Sequence, residues 1–224
     1  MSVDSIGTRV RHILDTLPPG VTLVTAAKSR TPEEVKAAIR AGVTCVGHNY
    51  IQEAERMISV VGNGVRWHMI GHLQRNKAKK AVQLFDMIET VNSWRLAVAV
   101  DRHCAAIRKV MPVLVEINSG QEASKTGVLP EDVDYLVGRL SELQHIRVQG
   151  LMTMGPRFGD PEEARPYFRA TREAFDRLSA LNLPSVTMRY LSMGMSNSYR
   201  VAIKEGDNVV HIGTEIFGGR PGKK

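Results

Sequence analysis

The segment TLVTAAKSR, residues 22–30, runs an apolar stretch straight into Lys28. An ammonium group at the end of a buried strand either snorkels to the rim of the fold or acts as an amine nucleophile, as in a Schiff base with a carbonyl compound. Toward the other end, LSMGMSNSYRVAIKEG (191–206) places Ser196 as the apparent N-cap of a helix, and HIGTEIFGG (211–219) places Gly213 and Thr214 at the start of a short one. Helix N-termini present unpaired N–H groups and suit a phosphate; the same residues equally suit ordinary caps and turns. Neither segment is a nucleotide P-loop, because no Gly-Lys-Ser/Thr follows the glycines. A lysine facing a phosphate site is the arrangement that pyridoxal 5′-phosphate requires, with its aldehyde and its phosphate held at opposite ends of a pocket.

Other chemistry-bearing residues make weaker cases. His68 and His72 are four apart, but HMIGH reads as a strand running into Gly71, so they share no helical face, and the metalloprotease pattern lacks its Glu. Cys45 and Cys104 do not suit zinc, and Glu116 has no evident carboxylate partner. No metal is expected. Arg75, Lys77, Lys79 and Lys80 read as a solvated basic helix after a strand-end turn, and Lys125 in SGQEASKTG is either a loop lysine or a second amine for exchange with a bound aldehyde.

These residues need a frame, and the chain supplies an alternating one. A first helix carries Ile6, Val10, Ile13, Leu14 and Leu17 at helical spacing and stops at Pro18, Pro19 and Gly20. Apolar runs follow at 21–27, 45–47, 67–70, 87–91, 113–117, 148–152, 188–191 and 209–212. Amphipathic segments lie between them, clearest at 161–181 behind Asp160, where Pro166 is expected to kink the helix. Eight short, uniformly apolar strands alternating with helices predict parallel strands covered on both sides. The expected fold is an α/β (β/α)8 barrel with an additional N-terminal helix, with the site at the carboxyl ends of the strands. A doubly wound open sheet is the alternative, weakened because no strand is followed by G-x-G-x-x-G.

At 224 residues the chain suits one domain, residues 1–224. No apolar run reaches the roughly 18 residues needed to span a bilayer, and Asp4, Arg9 and Arg11 interrupt the place of a signal peptide's apolar core. A cytoplasmic protein with two free buried thiols is expected, with no membrane partner. The formal charge of +7 raises nucleic acid as a partner. The basic residues are scattered apart from the 75–80 patch and the tail Arg220, Lys223 and Lys224, and no aromatics interleave with the patch, so small anions fit better.

The blocks TAAKSRTPEEVKAAIRAG, CVGHNYIQEA, WHMIGHLQRNKAKK, VLVEINSGQEASKTGVLPED, GLMTMGP, DPEEARPYFRATRE, LSMGMSNSYRVAIKEG and VVHIGTEIFGGR together resemble the pyridoxal phosphate homeostasis protein family, also called the proline synthetase co-transcribed family. The resemblance covers nearly the whole chain in order. It implies a barrel like the N-terminal domain of alanine racemase (fold type III) that binds pyridoxal 5′-phosphate as an aldimine with Lys28. It further implies Asn49 beside the cofactor ring, with Ser196, Gly213 and Thr214 on the phosphate. Two departures stand out. The family usually has Gly-Glu-Asn-Tyr where this chain has Gly47, His48, Asn49 and Tyr50, and usually has an arginine, facing the pyridine nitrogen, where this chain has His211.

Racemisation usually needs acid/base groups on both faces of the substrate carbon. In alanine racemase the second group is a tyrosine from a further domain, and after Gly219 this sequence has only residues 220–224. Tyr50, Tyr190 and Tyr199 are internal candidates without support from spacing. The expected function is therefore a non-catalytic, monomeric binder that holds the cofactor and releases it by imine exchange, with cofactor-requiring apo-enzymes as partners. A low-activity amino-acid racemase or lyase is the alternative.

Overall fold

The computed structural model describes residues 3–122, 125–155 and 159–219. Eight parallel strands close into a barrel in sequence order: β1 (Thr22–Ala26), β2 (Cys45–His48), β3 (Arg66–Met69), β4 (Met87–Val91), β5 (Met111–Ile117), β6 (Ile146–Thr153), β7 (Val186–Met195) and β8 (Val209–Ile212). Closure is made by β8 against β1, with Leu23 opposite Val210 and Val24 opposite His211. This pairing removes the open-sheet alternative.

Helices cover the outside: α1 (Val3–Thr16), α2 (Pro32–Arg40), α3 (Ile51–Val61), α4 (Ala78–Leu84), α5 (Trp94–Ala106), α6 (Val133–Leu140), α7 (Arg165–Ala180), α8 (Tyr199–Lys204) and α9 (Thr214–Phe217). Local chemistry sets their ends. The Glu34 N–H donates to Thr31 Oγ1 while the Thr31 N–H donates to Glu34 Oε2, so both partners of a capping box are present, and Pro32 fills the first turn. The apolar stripe of α1 that packs on the shell consists of Ile6, Val10 and Ile13, all but fully buried.

Strand alternation divides the strand side chains into an outer and an inner set. The outer set, including Leu23, Val46, Trp67, Ile88 and Val210, joins the helices in one large core. The inner set contains two small apolar clusters, Val24, Cys45, Ile70 and Val209, and Met87, Leu114 and Met152, with Tyr190 packed against both. Both cysteines are buried and unpaired. Burial holds the Cys104 thiol up at about 11, and pushes the Cys45 thiol well above the usual thiol range.

Two expectations are corrected. Pro166 does not kink a long helix: a 3-10 turn at Pro161–Ala164 hands over to α7, so the proline sits in the first α-helical turn, where its missing N–H costs nothing. Ser196 is not an N-cap. Strand β7 runs on to Met195, four residues past the apolar run, and Ser198 precedes α8. The buried Asp207 carboxylate explains the extension, since it accepts N–H groups from Met193, Gly194 and Val209 and fastens the end of β7 to the start of β8.

Candidate functional site

Lys28 lies two residues past β1 at the carboxyl end of the barrel. Its Nζ donates to the Tyr50 hydroxyl at 3.1 Å and sits 4.7 Å from the centre of that ring. The loop carrying Lys28 is fixed on both sides. The Ser29 N–H donates to Glu53 Oε2 from α3, and the Arg30 guanidinium donates to the carbonyls of Phe217 and Gly218 beyond β8. The lysine is thus held at the mouth, not splayed onto the surface.

On the opposite flank of β1 the Gly213 N–H donates to Ser196 Oγ at 3.2 Å. A Cβ on Gly213 would come within 3.0 Å of the Ala26 carbonyl oxygen, so a bare backbone is what lets the end of β8 approach the end of β1. Thr214 is exposed beside it. Ser196, Gly213, Thr214 and Lys28 are therefore brought to one end of the barrel, just past the ends of β7, β8 and β1, which the closure makes neighbours.

Beneath the mouth lies a polar cluster inside the barrel. The Glu89 carboxylate on β4 is fully buried; Oε1 is 2.6 Å from His68 Nδ1, and Oε2 takes the Ser192 hydroxyl at 2.7 Å and lies 2.9 Å from His211 Nε2. Burial alone would raise the Glu89 pKa, but attraction to His211, with hydrogen bonds from His211 and His68, holds it well below the usual carboxylate range. Burial likewise opposes the His211 imidazolium, and the facing Glu89 and Asp207 carboxylates overcome it and raise its pKa. The geometry thus favours a His211 imidazolium facing the Glu89 carboxylate in the barrel interior. Sequence reading missed Glu89. The signal was available, an acidic residue at the centre of the apolar run MIETV.

Other predicted residues fall differently. Asn49 and Tyr50 line a cavity of about 330 Å³ over the ends of β2 and β3, together with His72, Gln74 and Lys77; Ser196, His211, Gly213 and Thr214 do not line it. Gly71 faces the Asn49 backbone so closely that a Cβ would lie 2.5 Å from its carbonyl oxygen. His48 does not face the mouth. It shares the outward parity of Val46 and stacks on Trp67 at 5.9 Å between sheet and helices, with both ring nitrogens unpartnered and its pKa pushed down to about 4 by burial. Lys125 is engaged by Glu122 Oε1 at 2.5 Å and lies 5.7 Å from the Tyr167 ring centre. The tail Arg220, Lys223 and Lys224 lies outside the described residues. Among the described residues no group of three or more His, Cys, Asp and Glu side chains could hold a metal ion, and no helix is long and apolar enough to cross a membrane.

A closed parallel barrel with a tethered lysine at its mouth and a serine–glycine pair across the β7–β8 ends defines a class, that of barrels built like the N-terminal domain of alanine racemase. The family model described as "Alanine racemase, N-terminal domain" matches residues 2–221. An alanine racemase of Clostridium difficile superposes with a TM-score of 0.79 at 15% identity, covering 98% of this chain and 57% of the racemase, a likeness of fold. Nearer similarity narrows the class. The pyridoxal phosphate homeostasis protein of Aquifex aeolicus is 37% identical over 199 residues, 88% of this chain and 86% of that protein. PipY of Synechococcus elongatus, solved without and with PLP bound, superposes with TM-scores of 0.90 and 0.87 at 31% identity, covering 95% of this chain and 100% of PipY. The chain belongs to the pyridoxal phosphate homeostasis protein family.

Proposed function

We propose that this protein is a single-domain, monomeric, cytosolic binder of pyridoxal 5′-phosphate that contributes to vitamin B6 homeostasis by holding the cofactor and releasing it without turning over a substrate. The observation that carries this reading is the placement of Lys28 at the barrel mouth, tethered to Tyr50, beyond the strand adjacent to the one that leads to Gly213 of the Ser196–Gly213 pair. The residues present fit the cofactor. An amine stands just past β1 for the aldehyde, and a hydroxyl and an N–H that now satisfy each other stand just past β7 and β8, where a phosphate oxygen could accept from both. Thr214 adds an exposed hydroxyl at the phosphate end, and Asn49 lines the cavity beside Tyr50.

In this reading Lys28 would condense with the cofactor aldehyde, with loss of water, and so shield it from stray amines, and an incoming amine would take over the imine and free the Lys28 amine. The Tyr50 hydroxyl accepts a hydrogen bond from Lys28 and so orients the lysine. His211, held by Glu89 and Ser192, stands where the resemblance implies an arginine and would be the group on the side of the pyridine nitrogen. A non-catalytic role is supported by the position of Tyr50: it hydrogen-bonds Lys28 itself, so it would stand beside that amine rather than across a bound substrate from it. Cofactor-requiring apo-enzymes are the natural recipients.

The test is an absorption spectrum of the protein with added pyridoxal phosphate, followed by borohydride reduction and peptide mapping. An imine band fixed onto Lys28, and absent in Lys28→Ala, is expected. No band, or label spread over surface lysines, refutes the site. Exchange of solvent deuterium into Cα of an amino acid, dependent on Lys28, would establish the racemase or lyase reading in its place.

A further inference from the structure

Outside the mouth itself, the 3-10 turn Arg75–Lys77 and α4 face α5 across a groove of about 630 Å³. Arg75 and Lys79 stand on one wall, and Arg95 and Arg102 on the other. Elsewhere on the surface several cations meet carboxylates: Lys80 pairs with Glu55, Arg165 with Glu162 and Glu205, Arg172 with Asp176, and Arg177 with Asp134. The groove is different. No acidic residue lines it, and its four cations make no ion pair with any described residue. The two walls are close enough that Arg102 and Lys79 both act, after burial, to lower the pKa of His103 between them. Four like charges gathered without a counter-charge repel one another, and an anionic partner relieves that cost.

The floor shows which anion. Arg95, Val98 and Arg102 follow a three-then-four spacing along one face of α5, which puts an aliphatic side chain between two guanidiniums. Val98 is 39% exposed, with buried Ala99 beside it. An apolar strip flanked by cations on both rims matches a helical segment that carries aliphatic residues on one stripe and carboxylates beside them. Arg95 to Arg102 spans about 10 Å, two turns of such a helix. Nucleic acid fits less well. Its sequence-tolerant binding relies on open aromatic faces, and Trp94, the aromatic side chain of the groove, already carries the Arg139 guanidinium 4.1 Å from its ring centre.

We propose that the α4–α5 groove is a docking site for an acidic, amphipathic helical segment of a partner protein. The site stands independently of the cofactor reading. It is, however, next to the mouth: the turn between them contributes Arg75 and Asn76 to the groove and Lys77 to the cavity that Asn49 and Tyr50 line. A partner seated in the groove is thereby brought beside the ends of β2 and β3.

The test uses the full chain and fluorescence anisotropy with three labelled probes: a peptide with Leu at helical i, i+3 and i+7 positions and Glu beside them, a scrambled peptide of the same composition, and a single-stranded oligonucleotide of equal charge. The ordered peptide is expected to bind at least about tenfold more tightly than either control. Binding should fall about tenfold or more in Arg95→Glu/Arg102→Glu and in Val98→Asp. Amide chemical-shift changes in the unmutated protein, confined to residues 75–79 and 94–103, should accompany it, which keeps the test sound if a variant folds poorly. Equal binding of the scrambled peptide or the oligonucleotide, shifts elsewhere, full binding by the charge-reversed variant, or no binding up to about 1 mM would each overturn the proposal.

Discussion

Replacing Glu89 by Gln changes one buried charge and almost no volume, so it isolates what the carboxylate does between His68, His211 and Ser192. Removing one member of a buried ion pair costs about 3–5 kcal/mol, mainly because the other is left without a counter-charge. Gln retains one acceptor oxygen and His211 can shed its proton, which places the cost near the lower end, about 3 kcal/mol. For a chain of this length that is a fall in Tm of roughly 6–12 °C. The pH dependence gives the sharper signature. The Glu89 pKa is depressed below its ordinary 4.5, so its contribution is present above that value and is lost as pH falls through the folded value. The His211 pKa is raised above its ordinary 6.5, so its contribution is complete below 6.5 and is lost as pH rises through the folded value. The pair therefore stabilises most between about pH 4.5 and 6.5. Thermal unfolding of the wild type and Glu89→Gln at about pH 6 and again at about pH 9 should show a large gap at the first and a smaller one at the second. A gap that is absent at pH 6, or unchanged between the two, would refute the pairing.

Three further outcomes follow from single contacts. His48→Phe should stabilise the protein, and more so in acid: the buried imidazole resists protonation down to about pH 4, so the wild type loses stability as pH falls below 6.5, by roughly 2 kcal/mol at pH 5, and the variant does not. Melting temperatures at pH 5 and 7.5 decide this. Gly71→Ala should cost roughly 1–3 kcal/mol and displace Asn49, because its Cβ would meet the Asn49 backbone, and denaturant unfolding measures the loss. Cofactor release from the wild type should change with pH as His211 loses its proton, whereas release from His211→Arg should not; identical pH profiles would remove His211 from the cofactor's surroundings.

The frame was legible because it depends on repetition. Eight apolar runs separated by amphipathic segments suffice to specify a closed parallel barrel, and the runs at 87–91 and 209–212 coincide with β4 and β8. What failed was local and polar. The strand reading of β7 stopped at Leu191 because Ser192 breaks the apolar run, yet Ser192 is polar for a reason that lies 103 residues away, at the Glu89 carboxylate. The same stop turned Ser196 into a helix cap, since nothing near it in sequence reveals that Asp207 holds residues 193 and 194 extended.

His48 and His211 show why resemblance locates a residue more surely than it gives its role. Both are histidines at or near the ends of the two strands that flank β1, and both stand where the resemblance implies a charged residue. Parity separates them. His48 follows Val46 outward onto Trp67 and becomes a neutral, unpartnered ring in the helix layer, whereas His211 follows Val209 inward and meets a carboxylate. A one-residue shift in where a strand is taken to begin exchanges these two environments. The inward histidine is then intelligible only with its partner. An arginine would bring a permanent cation to that interior, while His211 brings one that depends on Glu89, so the two positions must be read as a unit and a substitution at either changes what the other presents to the barrel mouth.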